Sequence, residues 1–344
     1  MSSSHKGKGV IIGLDAMGSD FGPAELLAGA VQAAEQTGVR IAVAGDEPLI
    51  REALAGASRK AVDLIDIIPA SQVVTMADSP SEALRNKKDS SIAVLFELQK
   101  DGKIDAVVSA GNSGAVLASA IKYLGRLNNI ARPGIASVFP TLQEPVVMMD
   151  VGANVDCRPQ HLLEFGIMSA AYYSIMFGNP RPRVGMLSIG KEIGKGNHLV
   201  KEARKLLQAS SLNFIGNVEG GDTFQGNVDV IVCDGFVGNI CLKLSEGLAE
   251  VLFKMLKDEI KGSVSAKMGC LFAKNAFKNF KKRIDYAEYG GAPLLGMNGI
   301  SLICHGKSER TAIKNAIQEA FELVSNKVND HILTMLHGDE YRKG

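Results

Sequence analysis

Asp105-Ala106-Val107-Val108-Ser109-Ala110-Gly111-Asn112-Ser113-Gly114-Ala115 reads as a buried strand that breaks on a turn of small residues and restarts as a helix at Ala115-Val116-Leu117-Ala118. Glycines let a backbone turn tightly and approach a ligand closely. Ser109, Asn112 and Ser113 carry the side chains that cap helices. The free N–H groups and positive dipole end of such a helix suit an anion, phosphate above all. Taken alone, the stretch is better explained as an ordinary αβ connection. Working outward, the same pattern recurs. Short apolar runs at 10–15, 40–45, 63–68, 134–139, 146–150, 183–188, 213–216, 229–233 and 300–304 read as strands. Amphipathic stretches at 23–37, 90–101, 113–124, 160–177, 197–209, 238–261 and 307–335 read as helices. Strands spaced by helices imply βαβ crossovers and a mostly parallel, doubly wound sheet in three α/β/α layers. Ligands of such sheets sit beyond the carboxyl ends of the strands.

The composition agrees with a globular enzyme. The 344 residues are long enough for a large core, 46% of them are hydrophobic, and 37 are glycine. A net charge of +1 gives no global field for nucleic acid. The five cysteines, Cys157, Cys233, Cys241, Cys270 and Cys304, are scattered and include no CxxC pair. That pattern fits a reducing cytoplasm and opposes a disulfide framework or a zinc site. No apolar run reaches the ~20 residues of a membrane span. Residues 1–8 read as a tail without an apolar signal core, and 9–344 as one α/β domain of two intertwined halves.

Five of the expected strand ends carry small, polar or acidic residues. They are 15–23 (Asp15, Gly18, Asp20), 109–114, 150–159 (Asp150, Asn154), 188–197 (Lys191, Lys195, Asn197) and 234–239 (Asp234, Gly235, Asn239). A sixth polar cluster, Tyr286-Ala287-Glu288-Tyr289-Gly290-Gly291-Ala292-Pro293, precedes His305. Each Asp or Asn also suits a helix cap, each Asp-Gly an ordinary turn, and His305 an interior histidine. Their coincidence on one edge of one sheet implies a ligand cleft. The chain has no GxxxxGK[ST], no GxSxG and no GxGxxG after its first strand. Asp15, Asp20, Asp150 and Asp234 have the chemistry to surround a magnesium ion if the fold gathers them.

Leu14–Asp20 (LDAMGSD), 109–115 (SAGNSGA), 150–154 (DVGAN), 213–219 (NFIGNVE), 234–239 (DGFVGN) and 289–296 (YGGAPLLG) occur in this order. Together they resemble the bacterial acyl-carrier-protein:phosphate acyltransferases from about residue 10 to 336. The resemblance implies a fold similar to isocitrate and isopropylmalate dehydrogenases and to phosphotransacetylases. It implies transfer of a long-chain acyl group from acyl-carrier protein to inorganic phosphate, giving acyl phosphate for phospholipid synthesis, with no nicotinamide and no required metal. It further implies a homodimer at the inner membrane surface, beside a membrane-bound glycerol-phosphate acyltransferase that takes the product. A phosphotransacetylase-like enzyme acting on coenzyme A thioesters is the alternative. On this reading Ser109, Gly111, Asn112 and Ser113 cradle phosphate. Lys195, Asn197 and Asn239 neutralise phosphate or the oxyanion, and His305 is the acid–base group. Asp15, Asp150 and Asp234 orient these donors, with Gly18, Asn154 and Gly235 beside them. Lys191 departs from the family pattern.

The segment 254–284 is the last feature. It holds nine Lys/Arg against Asp258 and Glu259, with Phe272, Ala273, Ala276, Phe277, Phe280 and Ile284 at helical spacing. A surface helix packed on the core or a dimer partner, an interfacial helix on anionic lipid, and a docking face for acidic carrier protein all fit this pattern.

Overall fold

The protein is described here by a computed structural model covering residues 9–284 and 289–340. The expected tail at 1–8, and Tyr286, Ala287 and Glu288 of the sixth cluster, lie outside the described residues. Among the described residues eleven strands build one mixed sheet. They are β1 (Ile11–Asp15), β2 (Arg40–Gly45), β3 (Ile65–Pro69), β4 (Ala106–Ser109), β5 (Gly134–Phe139), β6 (Val146–Met149), β7 (Arg183–Leu187), β8 (Asn213–Val218), β9 (Val230–Val232), β10 (Ala292–Leu295) and β11 (Ile300–Ile303). The spatial order is β3-β2-β1-β4-β11-β10-β5-β6-β9-β7-β8. Strands β4 and β6 (AVVS and VVMM) are buried along their whole length, as strands covered on both faces must be.

The helices are α1 (Pro23–Thr37), α2 (Glu47–Leu54), α3 (Arg59–Val62), α4 (Pro80–Asn86), α5 (Ser91–Lys100), α6 (Ser113–Tyr123), α7 (Pro159–Phe177), α8 (His198–Ala209), α9 (Gly235–Gly262), α10 (Val264–Phe272), α11 (Lys274–Ile284), α12 (Arg310–Ser325) and α13 (Val328–Glu340). Local chemistry sets their starts: Pro23 and Pro159 sit at first helical positions, and Asp46, Ser90, Asn112, Asn197 and Asp234 cap with their own side chains. Helix α7 is buried all round from His161 to Tyr173, the signature of a central helix rather than an amphipathic one. Among the described residues no helix is long and apolar enough to cross a membrane.

The sheet is mostly parallel, as expected, but its two parallel runs point in opposite directions. Strands β3, β2, β1, β4 and β11 run together, as do β6, β9, β7 and β8. Three antiparallel pairings, β11 to β10, β10 to β5 and β5 to β6, join the runs. The strand ends therefore do not share one edge. Register brings them together instead. Ile303 lies opposite Ala292, Leu294 opposite Ile135, and Ala136 opposite Met149. Followed across the sheet, Met149 ends its strand about one residue (~3.4 Å) from the height at which Ile303 ends. The carboxyl ends of both runs thus meet near the middle of the sheet, where a cleft opens.

Candidate active site

The first run supplies one wall. Asp15, at the end of β1, is fully buried and accepts the Met17 N–H (3.0 Å) and the Ser109 hydroxyl (2.7 Å). The Ser109 oxygen in turn accepts the Gly111 N–H at 3.0 Å. Burial pushes the Asp15 carboxyl above its usual range, and hydrogen bonds from Ser91, Ser109 and Met17 pull it back. Gly18 closes this unit. A Cβ there would lie 2.6 Å from both Asp15 Oδ2 and the Gly111 nitrogen, so the β1–α1 loop rests directly on the β4–α6 turn. Ser109 is thereby an internal strut: it is fully buried and its hydroxyl is engaged on both sides.

Asn112 is engaged too. Its carboxamide oxygen caps α6 by accepting the Ala115 N–H at 3.0 Å, while its amide donates to the Thr75 (3.2 Å) and Asp78 (3.0 Å) carbonyls. That 75–78 loop is itself fixed. Hydrogen bonding to Lys87 and Thr75 holds the Asp78 carboxyl at about 2. What the turn presents to the cleft is Gly111 and Ser113. The first-turn N–H groups of α6 have no partners within the helix.

The second run is built alike. Asp150 follows β6, is fully buried, and collects donors on both oxygens. Oδ1 accepts from Ile135 (3.1 Å), Gly152 (3.2 Å) and Ala153 (3.0 Å). Oδ2 accepts the Asn154 backbone (2.6 Å) and its side-chain amide (2.9 Å), and that amide also reaches the Pro133 carbonyl at 2.7 Å. Burial pushes the Asp150 carboxyl up and these donors pull it down. Gly235 packs on this loop: a Cβ there would meet the Asn154 carbonyl at 2.6 Å and Asp150 Oδ2 at 2.7 Å. Asp234 caps α9 by accepting from Phe236 (3.1 Å) and Val237 (2.9 Å). Asp234, Gly235, Asp150 and Asn154 therefore aim the first turn of α9, and with it Asn239, at the cleft.

The cleft has a volume of about 1260 Å³, above the ~300–1,000 Å³ common for small-molecule sites. Gly111, Ser113, Gly152, Asn239, Asp20 and His305 give it a polar centre. Asp20 and Ser19 tie the β1–α1 loop to the β11–α12 loop, donating to the Gly306 carbonyl from the Asp20 nitrogen (2.9 Å) and the Ser19 hydroxyl (3.2 Å). His305 Nδ1 accepts the Lys307 N–H at 3.1 Å, so a neutral ring carries its proton on Nε2. Among the described residues the one cleft-lining thiol, Cys304, is pushed up to about 12 by burial, then by the Glu319 charge.

Two expected site residues are not brought here. Lys195 and Asn197 lie on the β7–α8 loop, which does not line the cleft. Strand β7 stands two strands out from β6, a displacement of ~10 Å across the sheet. The Asn197 oxygen caps α8 through the Val200 N–H at 2.9 Å. Lys191 pairs outward with Asp222 at 2.9 Å. The four carboxylates do not converge either, and among the described residues no group of three or more His, Cys, Asp or Glu is placed to hold a metal.

Some of the lining was not anticipated. Met76 and the β5–β6 hairpin (Ile135, Val138, Phe139, Leu142) face the cleft, as does an inner stripe of α9 formed by Leu242, Ala249, Leu252, Phe253 and Leu256. The stripe was visible as apolar residues three, four and seven apart, a pattern that equally describes core packing. The 254–284 segment is not one amphipathic helix but the end of α9 followed by α10 and α11. Its exposed apolar residues include Val264, Met268, Leu271 and Phe272 on α10 and the half-exposed Phe280 on α11, whose ring centroid lies 5.9 Å from that of Phe253. Lys281, Lys282 and Ile284 have side chains outside the described set.

A profile of the family described as "Fatty acid synthesis protein" matches residues 10–331. A protein named phosphate acyltransferase from Geobacter sulfurreducens is 52% identical over 321 residues, 93% of this chain and 92% of that one. One of the same name from Nitratidesulfovibrio vulgaris is 48% identical over 331 residues, 96% of each. Among solved structures, a phosphotransacetylase from Streptococcus pyogenes superposes with a TM-score of 0.66 at 16% identity, covering 93% of this chain and 95% of that one. The EutD phosphotransacetylase from Staphylococcus aureus gives 0.62 at 18% identity, covering 92% and 95%. These two likenesses establish the shared fold, and the sequence matches establish the lineage: the chain belongs to the fatty acid synthesis protein family and is an acyltransferase.

Proposed function

We propose that the protein transfers a long-chain acyl group from acyl-carrier protein to inorganic phosphate, releasing acyl phosphate and free carrier. The relatives' shared name supports phosphate as acceptor. The observation that carries the reading is that the α6 N-terminus, Asn239 and His305 open onto one cleft whose remaining wall is largely apolar. Phosphate is itself an oxyanion nucleophile, so no activated serine or cysteine is needed. The high-lying Cys304 thiol suits that economy, since a thiol at about 12 is almost wholly protonated at neutral pH. In the mechanism, phosphate sits on the Gly111–Ser113 turn, held by backbone N–H groups, the Ser113 hydroxyl and the helix dipole. A phosphate oxygen attacks the thioester carbonyl, a step made effectively unimolecular by holding the two ~3 Å apart. The Asn239 amide donates to the developing oxyanion. The C–S bond then breaks, and the pantetheine thiolate, whose thiol pKa is ~8.5, takes a proton from solvent or from His305 Nε2.

The same reading includes partners. A stripe of exposed apolar residues on α9, Ile240, Leu244, Leu248, Val251 and Met255, suits a second copy of the chain. The apolar face of α10, with Lys267 on the same helix and Lys274 and Lys278 on α11, suits an anionic membrane surface at which acyl phosphate passes to a membrane-bound glycerol-phosphate acyltransferase. On this reading the enzyme works in the cytoplasm, peripherally on the membrane. The test is carrier release from acyl-carrier protein with and without phosphate, with acyl phosphate trapped as its hydroxamate. Phosphate-dependent release is expected. Absence of it, or far faster turnover of coenzyme A thioesters, would replace this reading.

A further inference from the structure

The apolar arm of the cleft is a groove with two ends. One end is the polar centre at Asn239. From there the inner stripe of α9 runs past Leu242, Ala249 and Leu252 to Phe253, fourteen residues or ~21 Å of helix from Asn239, with Leu256 on the last turn beyond it. The β5–β6 hairpin lines the facing wall through Val138, Phe139 and Leu142. At the far end Phe280 of α11 meets Phe253 at a 59° tilt, and Arg283 on the same helix donates to the Leu142 carbonyl at 3.3 Å. Helix α11 therefore spans from α9 to the hairpin and closes the arm.

We propose that this arm holds the acyl chain of the thioester donor, and that the Phe253–Phe280 pair is its end wall and sets the preferred chain length. The proposal rests on the acyl-transfer reading above and adds the location and measure of the chain. Two features select an acyl chain over another occupant. The arm is continuous with the polar centre, so a thioester carbonyl at Asn239 delivers its own chain into it. Its ~21 Å span exceeds the ~15 Å that a membrane acyl chain occupies in one leaflet, so a long chain fits and has an end to reach.

Each methylene seated in the arm is worth about 4-fold in kcat/KM, the equivalent of ~0.8 kcal/mol. The experiment is a chain-length series of acyl-carrier-protein thioesters from C8 to C18, with three variants. Ala249→Phe blocks the arm one helical turn (~6 Å) short of the end wall. It is expected to lower the C16:C8 ratio of kcat/KM roughly 10²-fold, the loss of three to four seated methylenes. Phe253→Ala and Phe280→Ala open the wall and are expected to raise the C18:C16 ratio. Unchanged ratios in all three variants would overturn the proposal, even with rates lowered uniformly. Equilibrium binding of a fluorescent C16 fatty acid is the independent readout: Ala249→Phe should displace it, and equal binding by wild type and variant would also overturn the arm. If wild type binds the probe and Ala249→Phe does not, while no thioester gives phosphate-dependent release, the arm stands and the acyl-transfer reading falls.

Discussion

Replacing Glu319 by Gln tests how the two parallel runs are tied together. Glu319, on α12, is buried and accepts the hydroxyl of Tyr172, on α7, at 2.6 Å and the Gly291 N–H at 3.3 Å. Gly291 lines the cleft, and Gly290, with φ +86°, turns so close that a Cβ there would lie 2.7 Å from the Glu319 carboxyl. Burial pushes this carboxyl up from 4.5 to about 8, with the Tyr172 and Gly291 hydrogen bonds opposing. The sign follows directly. Below ~4.5 both folded and unfolded chains hold the proton and the contribution is fully present; between there and about 8 only the unfolded chain releases it, and stability falls as pH rises by ~1.4 kcal/mol per unit. The full span is of order 5 kcal/mol. Gln cannot ionise; its carbonyl keeps one acceptor for the Gly291 N–H, and its NH2 donates to the Tyr172 oxygen instead of accepting its hydroxyl. Urea unfolding at pH 6, 7 and 8 should therefore show the variant gaining ~2 kcal/mol on the wild type across that range. Parallel stability curves would mean that Glu319 does not change protonation there, and the reasoning would fail.

Four further outcomes are expected. Asp150→Ala strands the N–H groups of Ile135, Gly152, Ala153 and Asn154 in the interior and should cost at least ~3 kcal/mol in urea unfolding; a loss under ~1 kcal/mol would contradict the hub role. Gly18→Ala should cost ~1–3 kcal/mol and raise KM for phosphate, because its Cβ would press on the Gly111 backbone; an unaltered KM would detach the β1–α1 loop from the anion site. Lys195→Ala should leave kcat/KM within about twofold, and a drop of ~10² would return the β7–α8 loop to the chemistry. Phe272→Asp should weaken flotation with anionic liposomes, since Phe272 is 85% exposed on α10; undiminished flotation would remove the membrane reading from this helix.

The strand–turn–helix at 106–123 was legible because its signals are local: a fully apolar run, then small residues, then a capping Asn. The strand 40–45 and the helix 23–37 fall where periodicity places them, for the same reason. Strand β10 (APLL) was not legible, since four residues with a proline carry no period and its pairing is entirely long-range. The stretch 307–335 reads as one helix, yet the chain breaks at Asn326–Lys327, where Lys327 takes φ +52°, a break that no glycine or proline announces.

The site shows the same division between local and long-range information. Sequence identifies polar loops but not which of their groups still face solvent after folding. Asp15, Ser109, Asn112, Asp150 and Asn154 are each consumed by hydrogen bonds within or between loops. Other polar residues of the same loops line the cleft instead, Gly111, Ser113, Asn239, His305 and Asp20 among them. A buried carboxylate that organises backbone N–H groups is a better scaffold than a reactant, because any ligand that recruited it would have to break three or more hydrogen bonds at once. Asp15 and Asp150 occupy matching stations in the two opposed runs, Asp15 as the last residue of β1 and Asp150 as the first after β6. On the proposed reading, two rigid loops of this kind meet the need of acyl transfer: phosphate fixed on α6 and donors fixed on α9, so that the reacting atoms meet without reorganising either wall.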